Sequence, residues 1–220
     1  MKKLAFLTVL LTLGFFGMND VNATHIQGMN ITVQHIGGDT FVSNCDFFRY
    51  CGGTAFNNGN CTGAAGIGNT ANYYIRCEEN GVQVNRQAQA DTIKEATPIC
   101  DSLNATQNSC VVGNCGLLGI QWGVYTDTVV LDSATLGAAY NCPQMIFVYA
   151  SGARNTGVNY VSQPSIVAYT RINFEEAPTN SSVQFNSNKP IPFFCDGQTV
   201  TYNWSAYDPN GDSLYWELDT

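Results

Sequence analysis

Three features of the chain predict an all-β protein, an antiparallel, β-sandwich-like domain tied by disulfides. Apolar and polar residues alternate in steps of two, tight-turn residues separate the alternating runs, and the 220 residues include nine cysteines. No stretch has the spacing of a helix.

The first run places Met29, Ile31 and Val33 on one face and Asn30, Thr32 and Gln34 on the other. Gly37-Gly38-Asp39 then turns the chain toward Thr40-Phe41-Val42, which predicts a hairpin. A second hairpin follows from Tyr73, Ile75 and Cys77 alternating with Tyr74, Arg76 and Glu78. Asn80-Gly81 offers a turn that tolerates positive φ, and Val82 and Val84 lead back. Ile120, Trp122 and Val124 open another strand, residues 145–150 form a continuous apolar run, and residues 166–174 alternate with Arg171 and Asn173 outward. Between strands lie Gly- and Asn-rich loops such as residues 52–70. These cannot make a core, but Cys51, Cys61 and Cys77 can tether them as a recognition surface.

Composition changes after Glu176. Ala177-Pro178-Thr179-Asn180-Ser181-Ser182 leads to Lys189-Pro190-Ile191-Pro192, so residues 24–177 are expected to form the N-terminal β domain and 178–192 a linker or edge-strand entry. From 193 to 220, Val200, Tyr202, Trp204 and Ala206 alternate, Asp208-Pro209-Asn210-Gly211-Asp212 turns the chain, and Leu214, Trp216 and Leu218 alternate back. An immunoglobulin-like sandwich needs about seven strands, so these are expected to be the first strands of an incomplete Ig-like domain that continues past Thr220.

The N-terminus predicts the compartment. Lys2 and Lys3 precede an apolar run from Leu4 to Phe16, too short to span a bilayer, and Val21 and Ala23 stand at −3 and −1 of a cleavage site. Residues 1–23 are therefore expected to be a signal peptide, with no membrane insertion after cleavage and a secreted or cell-surface location. The remaining 197 residues carry 7 basic and 16 acidic side chains, a charge of −9. So few cations argue against nucleic acid and against electrostatic docking on anionic lipid.

In an exported chain the cysteines read as disulfides, each stabilising by about 2–4 kcal/mol. The candidates are Cys45, Cys51, Cys61, Cys77, Cys100, Cys110, Cys115 and Cys142, with Cys195 as the expected orphan, 53 positions beyond Cys142. No Cys-x-x-Cys occurs, which argues against structural zinc and thioredoxin-like chemistry.

Two stretches carry a resemblance. Residues His25-Ile26-Gln27-Gly28-Met29-Asn30-Ile31-Thr32, followed by Phe47-Phe48-Arg49-Tyr50-Cys51, are one. The other runs from Pro178-Thr179-Asn180-Ser181-Ser182 through Lys189-Pro190-Ile191-Pro192-Phe193-Phe194-Cys195 and Thr201-Tyr202-Asn203 to Asp208-Pro209-Asn210-Gly211-Asp212-Ser213-Leu214. In order and spacing they resemble the large secreted multidomain surface proteins of gliding-type Gram-negative bacteria, in which an N-terminal β domain precedes cadherin-like or PKD-like Ig-fold repeats. Gly152-Ala153-Arg154-Asn155 stands where that family often has Cys-Cys-Arg-Asn. The resemblance implies an adhesin-like role at the cell surface, with export completed by a C-terminal sorting domain.

The chemical candidates are few. Asp208, Asn210 and Asp212 put three oxygen-bearing side chains at alternate positions around a turn, a possible Ca²⁺ site that lacks the bidentate Glu of an EF-hand and also reads as an ordinary hairpin turn. Calcium in such loops is also what the cadherin-like resemblance implies. His25 and His35 are the only imidazoles. Copper held by a terminal histidine would require cleavage after Thr24, a poor cleavage residue, so surface or hydrogen-bonded histidines are the expectation. No motif singles out a carboxylate pair for glycoside hydrolysis. Tyr73, Tyr74, Trp122, Tyr125, Tyr149, Tyr202, Trp204 and Trp216 could build a sugar-stacking platform, although strand positions predict core burial for most.

The function expected from these features is that of a non-enzymatic, secreted cell-surface protein, the N-terminal part of a large adhesin or gliding-motility-associated protein, contacting an extracellular surface, matrix or glycan. A secreted carbohydrate-binding module is the alternative, and a secreted polysaccharide-active enzyme the third possibility.

Overall fold

Glycines at positive φ close both expected hairpins. Gly37 and Gly38 (φ 137° and 54°) link β1 (Ile26–Gly37) to β2 (Thr40–Tyr50). Gly81 (φ 71°) lies between β3 (Thr70–Cys77) and β4 (Gln83–Glu95), where Asn80 Oδ1 accepts from Val82 N at 2.9 Å. The computed structural model describes residues 26–50, 70–97, 119–152, 165–185, 197, 199, 201 and 205–217. Strands β5 (Ile120–Val130), β6 (Gln144–Ser151) and β7 (Ile166–Asn173) complete one seven-stranded sheet in the order β1-β2-β5-β4-β3-β6-β7. Every adjacent pair is antiparallel. Two short strands, β8 (Gln184–Phe185) and β9 (Ala206–Tyr207), form a separate ribbon.

The sheet folds over on itself. A bulge between Ala90 and Thr92 bends β4, and the edge strands β1 and β7 approach within 8 Å between Cα atoms. Alternate side chains of each strand then share one interior. Phe47 of β2 meets Tyr149 of β6 with ring centroids 6.0 Å apart, although three strands separate them in the sheet. Tyr149 stacks on Tyr73 of β3 at 4.7 Å, and Phe41 meets Phe174 edge to face at 5.3 Å. This sandwich-like closure buries Ile31, Val33, Ile75, Tyr125, Val129, Met145 and Phe147 among others. The outer edge of β1 is covered rather than left open, because Val33 exchanges hydrogen bonds with Ser182 (2.7 and 2.8 Å) and His35 N donates to Ser181 Oγ at 3.1 Å. Thus the described part of the expected linker, through Ser182, serves as an edge cover.

Two sets of polar side chains inside the fold are paired. Asp127 of β5 accepts from Arg86 Nε and Nη2 (2.9 and 3.0 Å) and from Tyr73 Oη (2.8 Å). A carboxylate held by a two-pronged guanidinium and a phenol is a strong, directional tie between β3, β4 and β5. Arg49, fully buried on β2, donates to Gln121 Oε1 from Nε and Nη2 (3.0 and 2.8 Å).

Several expectations change. Ile120, Trp122 and Val124, which the sequence assigned to no particular face, share the outer face of β5, where Ile120 is nevertheless buried. The inward residues of β5 are Gln121, Gly123, Tyr125, Asp127 and Val129, set by the pairing of Cys45 with Tyr125 and Phe41 with Val129. One helical turn, α1 (Ser133–Leu136), precedes a 3₁₀ turn at Gly137–Ala139, and Asp132 caps α1 by accepting from Thr135 N at 2.7 Å. Residues 211–217, expected to alternate as a returning strand, carry no strand, and β9 is only two residues long. Cys77 and Cys142 form a disulfide, with Cα atoms 5.7 Å apart and a sequence separation of 65. Cys45, expected among the bridged residues, is instead a free, buried thiol on the inward face of β2. It sits opposite Tyr125 rather than a second cysteine, and burial pushes its pKa well above the ordinary thiol value, so it stays protonated. Cys51, Cys61, Cys100, Cys110, Cys115 and Cys195, together with the leader, lie outside the described residues.

Replacing both Cys77 and Cys142 by Ser is expected to lower unfolding free energy by about 4 kcal/mol, since the bridge closes a loop of this length in the unfolded chain. Urea denaturation would read the loss, and an unchanged midpoint would contradict it.

Burial also fixes the alkaline limit of the fold. The Tyr125 phenol is pushed up to about 12 by burial and the nearby Cys45, and Tyr73 and Tyr149 are raised further, burial again leading. A phenol raised above its unfolded value of about 10 contributes stability that is complete below that pH and lost as pH climbs through the folded value. Between about pH 10 and 12, ionisation of these three tyrosines is expected to accompany loss of the β circular-dichroism signal. Titration of all eleven tyrosines with the sheet signal intact would contradict this.

Candidate recognition face on strands β3, β6 and β7

The sequence-derived aromatic candidates separate once their faces are known. Tyr73, Tyr125 and Tyr149 are core residues. Trp122 is on the outer face but engaged: its indole Nε1 donates to Asp46 at 2.8 Å, Phe48 stacks on it at 5.9 Å, and Lys94 Nζ lies 4.2 Å from its ring centroid. Trp216 is about half exposed and packs beside Phe185 at 6.5 Å, near the exposed Tyr207 and Tyr215. Tyr202 and Trp204 lie outside the described residues. Tyr74 remains, and the register gives it a partner that sequence reasoning missed.

β6 pairs with both β3 and β7, and the residues opposite one another form rows on the outer face. One row reads Asn85, Tyr74, Val148, Tyr169, and the next Gln83, Arg76, Ile146, Arg171. Tyr169 is 62% exposed, whereas Val148, with a tyrosine on either side of it in the row, is only 6% exposed. β3 and β7 both run antiparallel to β6 and therefore parallel to each other. Tyr74-Ile75-Arg76 and Tyr169-Thr170-Arg171 thus point the same way, two strand spacings apart, or about 9.6 Å. Along each strand the arginine follows its tyrosine by two residues, about 6.8 Å.

The surroundings are polar and concave. Gln87 Nε2 donates to Asn72 Oδ1 (3.1 Å) and Gln83 Nε2 to Asn85 Oδ1 (3.0 Å), which orients these amides beside Tyr74. A hollow of about 440 Å³, lined by Asn72, Tyr73, Tyr74, Asn85, Arg86 and Ala150, opens at one side of the rows. A second of about 490 Å³ lies at the seam between β1 and β7, with Tyr169 and Arg171 in its wall. Arg171 pairs with Glu78 at 2.7 Å, with both side chains solvent-exposed, so this contact is worth little stability. Among the described residues, Arg76 has no carboxylate within ion-pair distance.

The remaining candidates occupy structural positions. Asp208 Oδ1 accepts from Asn210 N (2.7 Å) and Asp212 N (3.3 Å), Asn210 Oδ1 accepts from Ser181 N (2.8 Å), and Asp212 Oδ2 is 3.5 Å from Asn180 Nδ2. The three side chains proposed for Ca²⁺ hold the turn and dock it on residues 180–181. His35 Nε2 lies 2.8 Å from Gly38 O within the first hairpin, and its ring packs on Phe41 at 4.9 Å; His25 is outside the described residues. Glu79 Oε2 lies 3.2 and 2.8 Å from the bridged sulfurs of Cys77 and Cys142. No helix among the described residues is long and apolar enough to cross a membrane.

Comparisons with family models, curated proteins and solved structures find no match for this chain.

Neighbouring tyrosines should respond oppositely to truncation. Tyr73→Ala removes a buried ring and is expected to cost about 3–5 kcal/mol. Tyr169→Ala alters an exposed side chain and is expected to cost no more than about 0.5 kcal/mol. Thermal or urea unfolding of the two variants would check the assignment of faces, and comparable losses would contradict it.

Proposed function

We propose that this chain is a secreted, non-enzymatic cell-surface protein that attaches to an extracellular surface, matrix or glycan through the outer face of β3, β6 and β7. One observation carries the proposal: two tyrosines and two arginines stand in register on an outward face bordered by oriented amides. Exposed aromatic rings with polar rims are the usual means by which a surface gains affinity without a deep cavity. The disulfide supports an oxidising compartment and, with the leader-like N-terminus, supports export. Ig-like modules following the described sheet, as in the multidomain surface proteins that residues 178–214 resemble, would extend this face away from the cell.

A carbohydrate-binding role is the second reading, favoured by the same tyrosines, and differs from the first mainly in whether the protein links a cell to its ligand. Polysaccharide turnover is the third, and no arrangement among the described residues singles out its acids.

Beads coated with the full chain are expected to attach saturably to surfaces bearing extracellular polysaccharide or matrix. Attachment should fall when Tyr74 and Tyr169 are both replaced by Ala and be lost after thiol reduction and unfolding. Undiminished attachment of the double variant would move the function to another surface, and release of soluble saccharide would replace adhesion with catalysis.

A further inference from the structure

The face repeats itself. Tyr74 with Arg76 on β3, and Tyr169 with Arg171 on β7, form two copies of one pair related by translation across β6, because the two strands run in the same direction and β6 holds both in register. A linear polymer crossing the strands meets both copies in the same way only if its own repeat matches two strand spacings, about 9.6 Å. An extended peptide fails this condition. Its same-face side chains recur about every 6.8 Å, and the next residue along, though farther, faces away. In an extended β-linked sugar chain, equivalent groups recur on one side at every second ring, a length comparable to the spacing of the two pairs.

The chemistry of each copy defines that repeat. A tyrosine ring offers an apolar surface to the C–H face of a sugar and a hydroxyl to its rim. An arginine offers a planar fork of donors suited to a carboxylate. The chain has only nine Lys and Arg against seventeen acids, yet two of the arginines share one row of this face. Arg76 has no described acidic partner, and Arg171 gives Nη2 to the exposed Glu78, with its remaining N–H groups unassigned to that contact. Two guanidinium groups against one carboxylate leave the row cationic.

Resting on the adhesive reading above, we propose that the ligand of this face is an acidic, β-linked polysaccharide with one carboxylate in every two sugars, laid across β3, β6 and β7. Each tyrosine stacks on a sugar of successive repeats and each arginine takes the carboxylate of that repeat. Val148 and Ile146, between the pairs, form the apolar floor under the intervening sugar.

Hyaluronan oligosaccharides, in which one ring of every two bears a carboxylate, are a suitable probe, with carboxyl-reduced hyaluronan as the neutral counterpart. Calorimetry with the full chain is expected to give binding that weakens with added salt and is at least about tenfold weaker for the reduced polymer, as loss of charge-assisted hydrogen bonds requires. Arg76→Gln and Tyr169→Ala should each weaken hyaluronan binding by about tenfold or more while circular dichroism stays unchanged. Lys94→Gln, on a different part of the sheet, should leave affinity unchanged. Equal binding of the charged and reduced polymers, or undiminished binding by Arg76→Gln, would overturn the acidic-polysaccharide assignment and leave the adhesive reading intact. Attachment to protein surfaces without affinity for either polymer would also overturn the assignment alone. Absence of attachment to any polysaccharide or matrix surface would overturn both.

Discussion

The outer face depends on one constraint, the register with which β6 sits between β3 and β7. Tyr73 must lie opposite Tyr149 for their rings to stack at 4.7 Å in the core, and this places Tyr74 opposite Val148 on the other side of the sheet. Because side chains alternate in steps of two, a slip of one residue would move Tyr149 into solvent and Val148 inward, and the rows would dissolve. The core therefore fixes the surface: the packing of Phe47, Tyr73 and Tyr149 inside determines which tyrosines and arginines stand side by side outside.

The pairing of β3, β4 and β5 likewise lets a charged group sit within the fold with its partners beside it. Asp127 is tied to Arg86 and Tyr73 by three hydrogen bonds spanning three neighbouring strands. An ion pair of this kind adds less net stability than an apolar replacement of equal volume, but removing either partner leaves a charge partly out of water. Its directional bonds also fix how β3, β4 and β5 lie relative to one another, a constraint that apolar contacts impose only loosely. The disulfide acts at the end of β3, joining it to the loop that leads into β6. Two different kinds of tie thus hold the strand that carries Tyr74 and Arg76.

The hairpins at Gly37-Gly38 and Asn80-Gly81, and the outward position of Arg171, were legible in the sequence because they depend on neighbouring residues only. What depends on distant pairing was not. Ile120, Trp122 and Val124 form the more apolar stripe of β5, yet this stripe lies on the outer face, with Ile120 buried there, since the inward stripe has exchanged apolar content for Gln121, Gly123 and Asp127, each with a partner or a close neighbour in the core. In the sequence Cys45 looked like any of the other cysteines, and its place opposite Tyr125 removes it from the bridged set. Tyr74-Ile75-Arg76 and Tyr169-Thr170-Arg171 are visible as similar tripeptides, but their separation of nearly a hundred positions hides that β6 brings them two strands apart.

Charge distribution bears on how such a face would work. The chain carries −8 overall, so its long-range field repels polyanions from most of its surface. A row with two guanidinium groups, beside one carboxylate, is a local exception, effective over roughly a Debye length, about 8 Å at physiological salt. For the proposed acidic ligand, selectivity then arises from rejection as well as attraction. A polymer that misaligns with the two pairs loses the cations and meets acidic surface, whereas one in register places its carboxylates where the field is favourable. The alignment that makes the face specific is thus set by the same pairing of β3, β6 and β7 that packs the core beneath it.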